Sequence, residues 1–593
     1  VLPEGGVLKK PQPRRAAAKI SKTQERPFAG AAPRDTMFTM QKTCAHSWCQ
    51  QPLEVFPEDR ELLKLFNVPE PRFCVDCRHQ WRGMFRPTLA FYRRKSDLTG
   101  KSLLTVYSPS NRFPVYAIDE WWSDAWDGLS YEQSFDFSRP FFQQFAELHD
   151  HVPKMANGNE NCENCEYCNG AGNARDSYYS TTVHRSQDVY YSERVTGYCS
   201  DIVDCLRCQR SSHLYESIQC VNSHLSTFLF QCNDTHDSHY CIDCQGCHDC
   251  LFCHNLRNAS SMVFNAPVSP EEFKRIKAES INGKYSTLQK NFKKLEQVYK
   301  DTIWRNLSLV NCDECIGDLL MHCSHCFQCY ASFNSQHMRY AWDITPSEKC
   351  ISSMDLTHGG IGELLYNSQG LGGGNYFMRM CISCRISSNM TYCINCYSCK
   401  DCFGCTGLRN KLYCILNKQY TKESYQDLLP RIIAHLQNTR EWGDFFPVIL
   451  TPCAYNQSIS YKYFPLPEEE VRKRGWKWEE LPSLVPPTDA SSGVLPDSID
   501  DISDDLCNQV LTCVKSGKKF KILKKELEFY RIMHLPIPHI HPDIRMQQRL
   551  NSSNPYKLWT RPCMKCGKEM QTSFAPERPE IVYCEECYLK EVY

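Results

Sequence analysis

The chain carries 38 cysteines in 593 residues, and their spacing is the first guide to its chemistry. Cys563 and Cys566 of "CMKCGK" are followed by Cys584 and Cys587 of "YCEEC". A C-x2-C knuckle sets two sulfurs at adjacent corners of a tetrahedron, so two such pairs supply a four-thiolate zinc site. Cys44 and Cys49 of "TCAHSWC", with Cys74 and Cys77 of "FCVDC", offer a second set whose first spacing is wider. Four thiolates leave no coordination position for water, which predicts structural rather than catalytic zinc. So many C-x2-C pairs in a long chain favour reduced thiolates held for metal over a disulfide framework.

A different pattern runs through "YCIDCQGCHDCLFCHNLRN", where Cys241, Cys244, Cys247, Cys250 and Cys253 fall at every third position. It returns 152 positions later as "YCINCYSCKDCFGCTGLRN", with Cys393, Cys396, Cys399, Cys402 and Cys405. The run lacks the fourth spacing and the proline of a bacterial ferredoxin motif. On an extended strand, side chains three apart point to opposite faces, so the sulfurs share one interior only if turns break the strand. Additional metal ligands and pure packing both remain open readings, since buried cysteine behaves as a small hydrophobe.

These residues must be positioned by repeated elements. Tyr190, Tyr215 and Tyr240 recur at 25 residues, and Tyr340, Tyr366 and Tyr392 at 26. Short polar and aromatic segments between Asn, Asp, Ser and Gly suit a β-solenoid. The expected fold class is mixed and β-rich: two tandem cysteine-rich β-solenoid-like units with about 25 residues per coil, each followed by a helix. Ser269-Pro270-Glu271-Glu272 reads as a capping box opening the first helix. A second duplication aligns 69–122 with 536–589, placing related zinc-ribbon or treble-clef-like modules at the two ends. In that alignment Cys563, Cys566, Cys584 and Cys587 face Ser96, Thr99, Ala117 and Glu120, a worn site that cannot hold structural zinc. The other worn site has Cys513 and His541, with Ile544 in place of Cys77. The expected boundaries are 1–36 basic disordered tail, 37–155 N-terminal zinc module, 156–268 first solenoid unit, 269–310 helical segment, 311–418 second solenoid unit, 419–445 helix, 446–506 linker with an acidic stretch, and 507–593 C-terminal zinc module.

Formal charge is zero overall, so nucleic-acid affinity would have to come from local patches. Arg78, Arg82 and Arg86 recur every four residues after Cys77, Arg545 and Arg549 repeat two of them, and Arg94 and Arg561 lie among aromatics. Cations on a zinc module can neutralise phosphates, which makes these seven arginines candidate RNA ligands. The acidic run Asp497 to Asp505 could dock on that basic face. For catalysis only Asp355, His358 and Glu363 in a glycine-rich loop stand out; they match no P-loop or dinucleotide fingerprint, and no catalytic residue is assigned. No apolar run is long enough for a membrane span.

With "WWSDAWD", "FDFSRPFFQQF", "CFGCTGLRNKLYCILNKQYTKESY" and "RPEIVYCEECYLKEVY", the chain resembles a family of uncharacterised cysteine-rich proteins of uncultured, small-genome candidate-phylum bacteria. That resemblance implies a cytoplasmic protein and brings no activity or catalytic residues. The leading expectation is a non-enzymatic zinc-stabilised scaffold engaging RNA or a ribosomal surface. The alternative is a metal-handling or thiol-redox protein using the cysteine runs, with a solenoid enzyme last.

Overall fold

A computed structural model describes residues 42–88, 90–344, 350–355, 362–370, 373–482 and 495–593. The tail at 1–36 and His358 therefore lie outside the described residues. The protein is mixed and β-rich, and among the described residues no helix is long and apolar enough to cross a membrane.

The every-third-residue pattern has a backbone cause. Tyr240, Asp243, Gly246, Asp249 and Phe252 hold φ values of 56°, 50°, 63°, 54° and 55°. A left-handed residue between two extended ones turns the chain, so the side chain three positions on faces the same interior again. Gly, Asn and Asp tolerate this conformation best, although aromatics adopt it here too. Ladder partners are then twelve residues apart: Ser200 pairs in parallel with Ser212, Ser212 with His224, and Phe230 with Ile242. The second region behaves alike, with Ser388 paired to Lys400 and Cys402 to Cys414.

The expected period of about 25 is thus corrected to twelve, with occasional steps of thirteen as between Gln187 and Ser200. Tyr190, Val203 and Tyr215 lie on consecutive rungs of one column. Tyr240 belongs to the neighbouring column, where it stacks on Phe228 at 4.6 Å and on Phe252 at 4.9 Å. The tyrosine spacing therefore crosses two columns. Each ladder ends in a short antiparallel return, Met262–Val263 against Ala266–Pro267 and Cys414–Ile415 against Lys418–Gln419. Helices follow at Pro270–Ser280 and Tyr285–Asp301, and at Lys422–Asn438 in the second copy. Ser269 Oγ accepts from Glu272 N at 3.1 Å, the cap read from the sequence, and Thr421 does the same for Ser424 at 3.2 Å.

The end modules share a hairpin, Tyr92–Lys95 with Ser102–Thr105 and Trp559–Pro562 with Glu569–Thr572, in matching register. In each, a strand after the hairpin pairs in parallel with the segment leading into a ladder region: Val115–Tyr116 with Lys154–Met155, and Ile581–Tyr583 with Ile303–Arg305. The modules then reach across the molecule. Leu62, Phe85 and Trp121 of the N-terminal module share a core with Tyr366, Tyr392 and Ile432 of the second ladder region and its helix. Leu527, Tyr530 and Phe574 of the C-terminal module share another with Tyr215, Tyr240 and Leu288 of the first. The stretch read as a linker is partly helical, at Ile459–Tyr463 and Glu468–Lys473. Its acidic run does not meet the predicted basic face. Asp497 accepts from Ser286 N and Oγ, both at 2.7 Å, and Asp504 pairs with Arg531 at 2.6 Å.

Candidate metal centres

Two groups of cysteines have the geometry of a metal site. Cys44, Cys49, Cys74 and Cys77 bring their sulfurs within 4.8 Å of one another, as do Cys563, Cys566, Cys584 and Cys587. The wider spacing of Cys44 and Cys49 does not prevent closure. The second pair of each set sits at a helix start, with Cys74 and Cys584 as the residues preceding Val75–Gly83 and Glu585–Val592. Backbone N–H groups aimed at sulfur favour thiolate over thiol. Cys74 N donates to Cys44 Sγ at 3.4 Å, and Cys584 N to Cys563 Sγ at 3.2 Å. Burial opposes ionisation of Cys563, but the N–H groups of Cys584, Cys566 and Lys565 outweigh it and bring the thiol down to about 6. The donor set fits a thiophilic ion, and four sulfurs close its coordination.

The worn site of the N-terminal module is filled by its own carboxylate. Ser96 Oγ and Thr99 Oγ1 donate to Glu120, and Ala117 N donates to it at 3.0 Å. The knuckle backbone persists: Ser96 N bonds Lys101 O at 2.8 Å, as Cys563 N bonds Lys568 O at 2.8 Å. Burial opposes charge on Glu120, but the three donors outweigh it and hold the carboxyl below its usual range. In the C-terminal worn site Cys513 N bonds Lys518 O at 2.9 Å in the same turn, while His541 Nδ1 caps its own helix by accepting from Asp543 N at 3.1 Å.

The cysteine runs are different. Cys241, Cys244, Cys247, Cys250 and Cys253 are buried, as are Cys393, Cys396, Cys399, Cys402 and Cys405, and among the described residues they form no group comparable to the two above. Their thiols face carbonyls: Cys241 Sγ lies 3.3 Å from His239 O and 3.6 Å from Cys250 O, and Cys393 Sγ lies 3.3 Å from Thr391 O and 3.6 Å from Cys402 O. Ser180 Oγ occupies an equivalent place, 2.9 Å from Tyr178 O and 3.3 Å from Val189 O. Burial pushes both Cys241 and Cys393 well above the usual thiol range. For Cys241 and Cys393 this is the environment of protonated packing residues that also satisfy backbone acceptors.

The arginine reading requires correction. Arg78, Arg82, Arg545, Arg549 and Arg561 are buried. Arg78 Nε pairs with Asp355 at 2.6 Å, and Arg82 donates to Asn367 Oδ1 at 2.6 Å while lying 3.7 Å from Asp355. Arg545 and Arg549 each pair with Asp204 at 2.9 Å, and Arg549 also reaches Glu216 at 3.1 Å. Arg561 donates to Ala575 O at 3.2 Å. Arg86 is half-buried and 3.4 Å from Thr182 Oγ1, and Arg94 pairs with Asp97 at 3.0 Å. The five buried arginines offer no surface to phosphate; four of them dock the modules on the ladder regions. Asp355, once a catalytic candidate, is committed to this docking, and Glu363 falls in the strand Gly362–Tyr366. The sequence did hold a signal for the carboxylate partners, because Asp204 and Asp355 are separated by the same 151 positions as Cys199 and Cys350. No protein-family model and no curated protein matches the chain.

Proposed function

We propose that the protein is a non-enzymatic scaffold in which two β-solenoids with twelve-residue coils are clamped by two end modules of zinc-ribbon or treble-clef type. Each module holds one structural zinc ion. The observation that carries this reading is the closed four-thiolate group of the N-terminal module, whose Cys77 lies on the same helix as Arg78 and Arg82, the buried arginines that meet Asp355 of the second ladder region. Metal supplies the local rigidity that presents those guanidiniums, because such small modules have little apolar core of their own. Zinc is the assignment because four thiolates in two knuckles make the tetrahedral sulfur set of structural zinc. Removing the metal with a strong chelator should loosen the modules, seen as rapid amide exchange over Val75–Gly83 and Glu585–Val592, the two helices that the cysteine sets open, while the ladder regions stay protected. Unchanged protection of both helices would overturn the reading.

A second reading, engagement of RNA or a ribosomal surface, passes from the buried arginines to lysines of the worn C-terminal knuckle. Lys515, Lys521 and Lys524 are exposed on one short stretch. Salt-dependent RNA affinity abolished by their reversal to Glu would support it, and affinity indifferent to that change would remove it. The thiol-redox and metal-handling alternative is weaker, because it needs accessible sulfurs in the ladder interiors.

A further inference from the structure

Away from the thiolate centres, the first ladder region aligns three imidazoles on one outer face. His224 pairs in parallel with His236, and His236 with His248. The three rings therefore rise from consecutive rungs, about 4.8 Å apart. His236 and His248 are exposed and His224 is half-buried. The outer two are oriented through their Nδ1 atoms. Ser212 Oγ, one rung earlier, lies 2.9 Å from Nδ1 of His224, and the Asp249 carboxylate lies 3.1 Å from Nδ1 of His248. An oxygen partner on Nδ1 is the arrangement that leaves Nε2 directed outward as a ligand.

The second ladder region supplies an internal comparison. Tyr376, Ser388 and Lys400 stand 152 positions after the histidines and pair with one another in the same register. The two copies thus keep the rungs and differ in the donors, so the imidazole column is not required for folding the ladder. Its nitrogens are not gathered as tightly as the sulfurs, since among the described residues only the two cysteine groups bring their ligand atoms within 4.8 Å. The central ring, His236, is exposed, and its rotation between staggered wells can bring its nitrogen toward the two rings held through Nδ1.

We propose that His224, His236 and His248 form a second kind of metal site, an exchangeable one for a divalent transition metal that favours imidazole, such as nickel or copper. It differs from the thiolate centres in being open to solvent and in using neutral nitrogen donors. The test is calorimetric titration of nickel chloride into the full chain with its thiolate centres loaded with zinc. One nickel ion should bind per chain in the micromolar range, with no release of zinc. His236→Ser should weaken binding at least about tenfold by removing the central donor. The triple variant H224Y/H236S/H248K, which copies the second region, should abolish binding without changing zinc content or the thermal midpoint. Nickel binding that survives the triple variant, that displaces zinc from the cysteines, or that does not occur at all would overturn the proposal.

Discussion

Glu120 shows how one residue substitutes for an ion. Its carboxylate collects Ser96, Thr99 and Ala117 N where the other module has four sulfurs. Glu120→Ala leaves buried donors without an acceptor, at about 1–3 kcal/mol for each one stranded; urea denaturation should register the loss. Installing cysteines at 96, 99, 117 and 120 together should instead create a further zinc site, measurable as one additional ion per chain. Glu526 is a second residue whose burial has a measurable consequence. It accepts from Tyr191 OH at 2.9 Å, Tyr530 OH at 2.7 Å and Leu523 N at 3.0 Å. Burial nonetheless pushes its carboxyl up to about 7 from an ordinary 4.5, with Arg545 opposing that rise. Between those values the folded state keeps a proton that the unfolded chain has lost, so this group's contribution falls as pH climbs from about 4.5 to about 7, by at most about 1.4 kcal/mol per unit. Denaturation midpoints compared between pH 5 and pH 7.5 should differ less in Glu526→Gln than in the native chain.

At the scale of elements, what was legible was local. C-x2-C knuckles and the Ser269 cap announce themselves within a few residues, and both stand in the structure. The twelve-residue step was not legible, because the tyrosines that drew attention occupy two adjacent columns and the left-handed turns that separate the sulfurs fall on Tyr and Phe as well as Gly and Asp. A helical row of arginines is equally ambiguous from sequence: the spacing of Arg78 and Arg82 says they share a face, but not that the face meets Asp355 across 277 residues. Arg549→Met tests this element directly. It leaves Asp204 buried with one partner fewer, and removing one member of a buried pair costs about 3–5 kcal/mol. Combining it with Asp204→Asn should recover part of that cost, because the stranded charge is gone. A surface role for Arg549 predicts instead a near-neutral change and no coupling in the double-mutant cycle.

The whole molecule reads as two related halves that exchange arms. Each module pairs a strand with the entrance of one ladder region and sends its arginine helix onto the other. Between the halves, Asp343 of the second ladder region pairs with Arg194 of the first and accepts from Tyr463 OH at 3.1 Å and from Tyr556 OH of the C-terminal module. Lys462, half-buried, pairs with Glu193, the neighbour of Arg194 in sequence. Such a hub ties both ladders, the intervening helices and a module together. Under the proposed function its integrity rests on metal at the two cysteine groups. The most direct test is metal content by native mass spectrometry, after purification without added metal and gel filtration with a weak chelator. The account predicts two zinc ions per chain, falling to one in Cys44→Ser and to one in Cys587→Ser. A chain that carries no zinc, or whose zinc is unchanged by both substitutions, would contradict it.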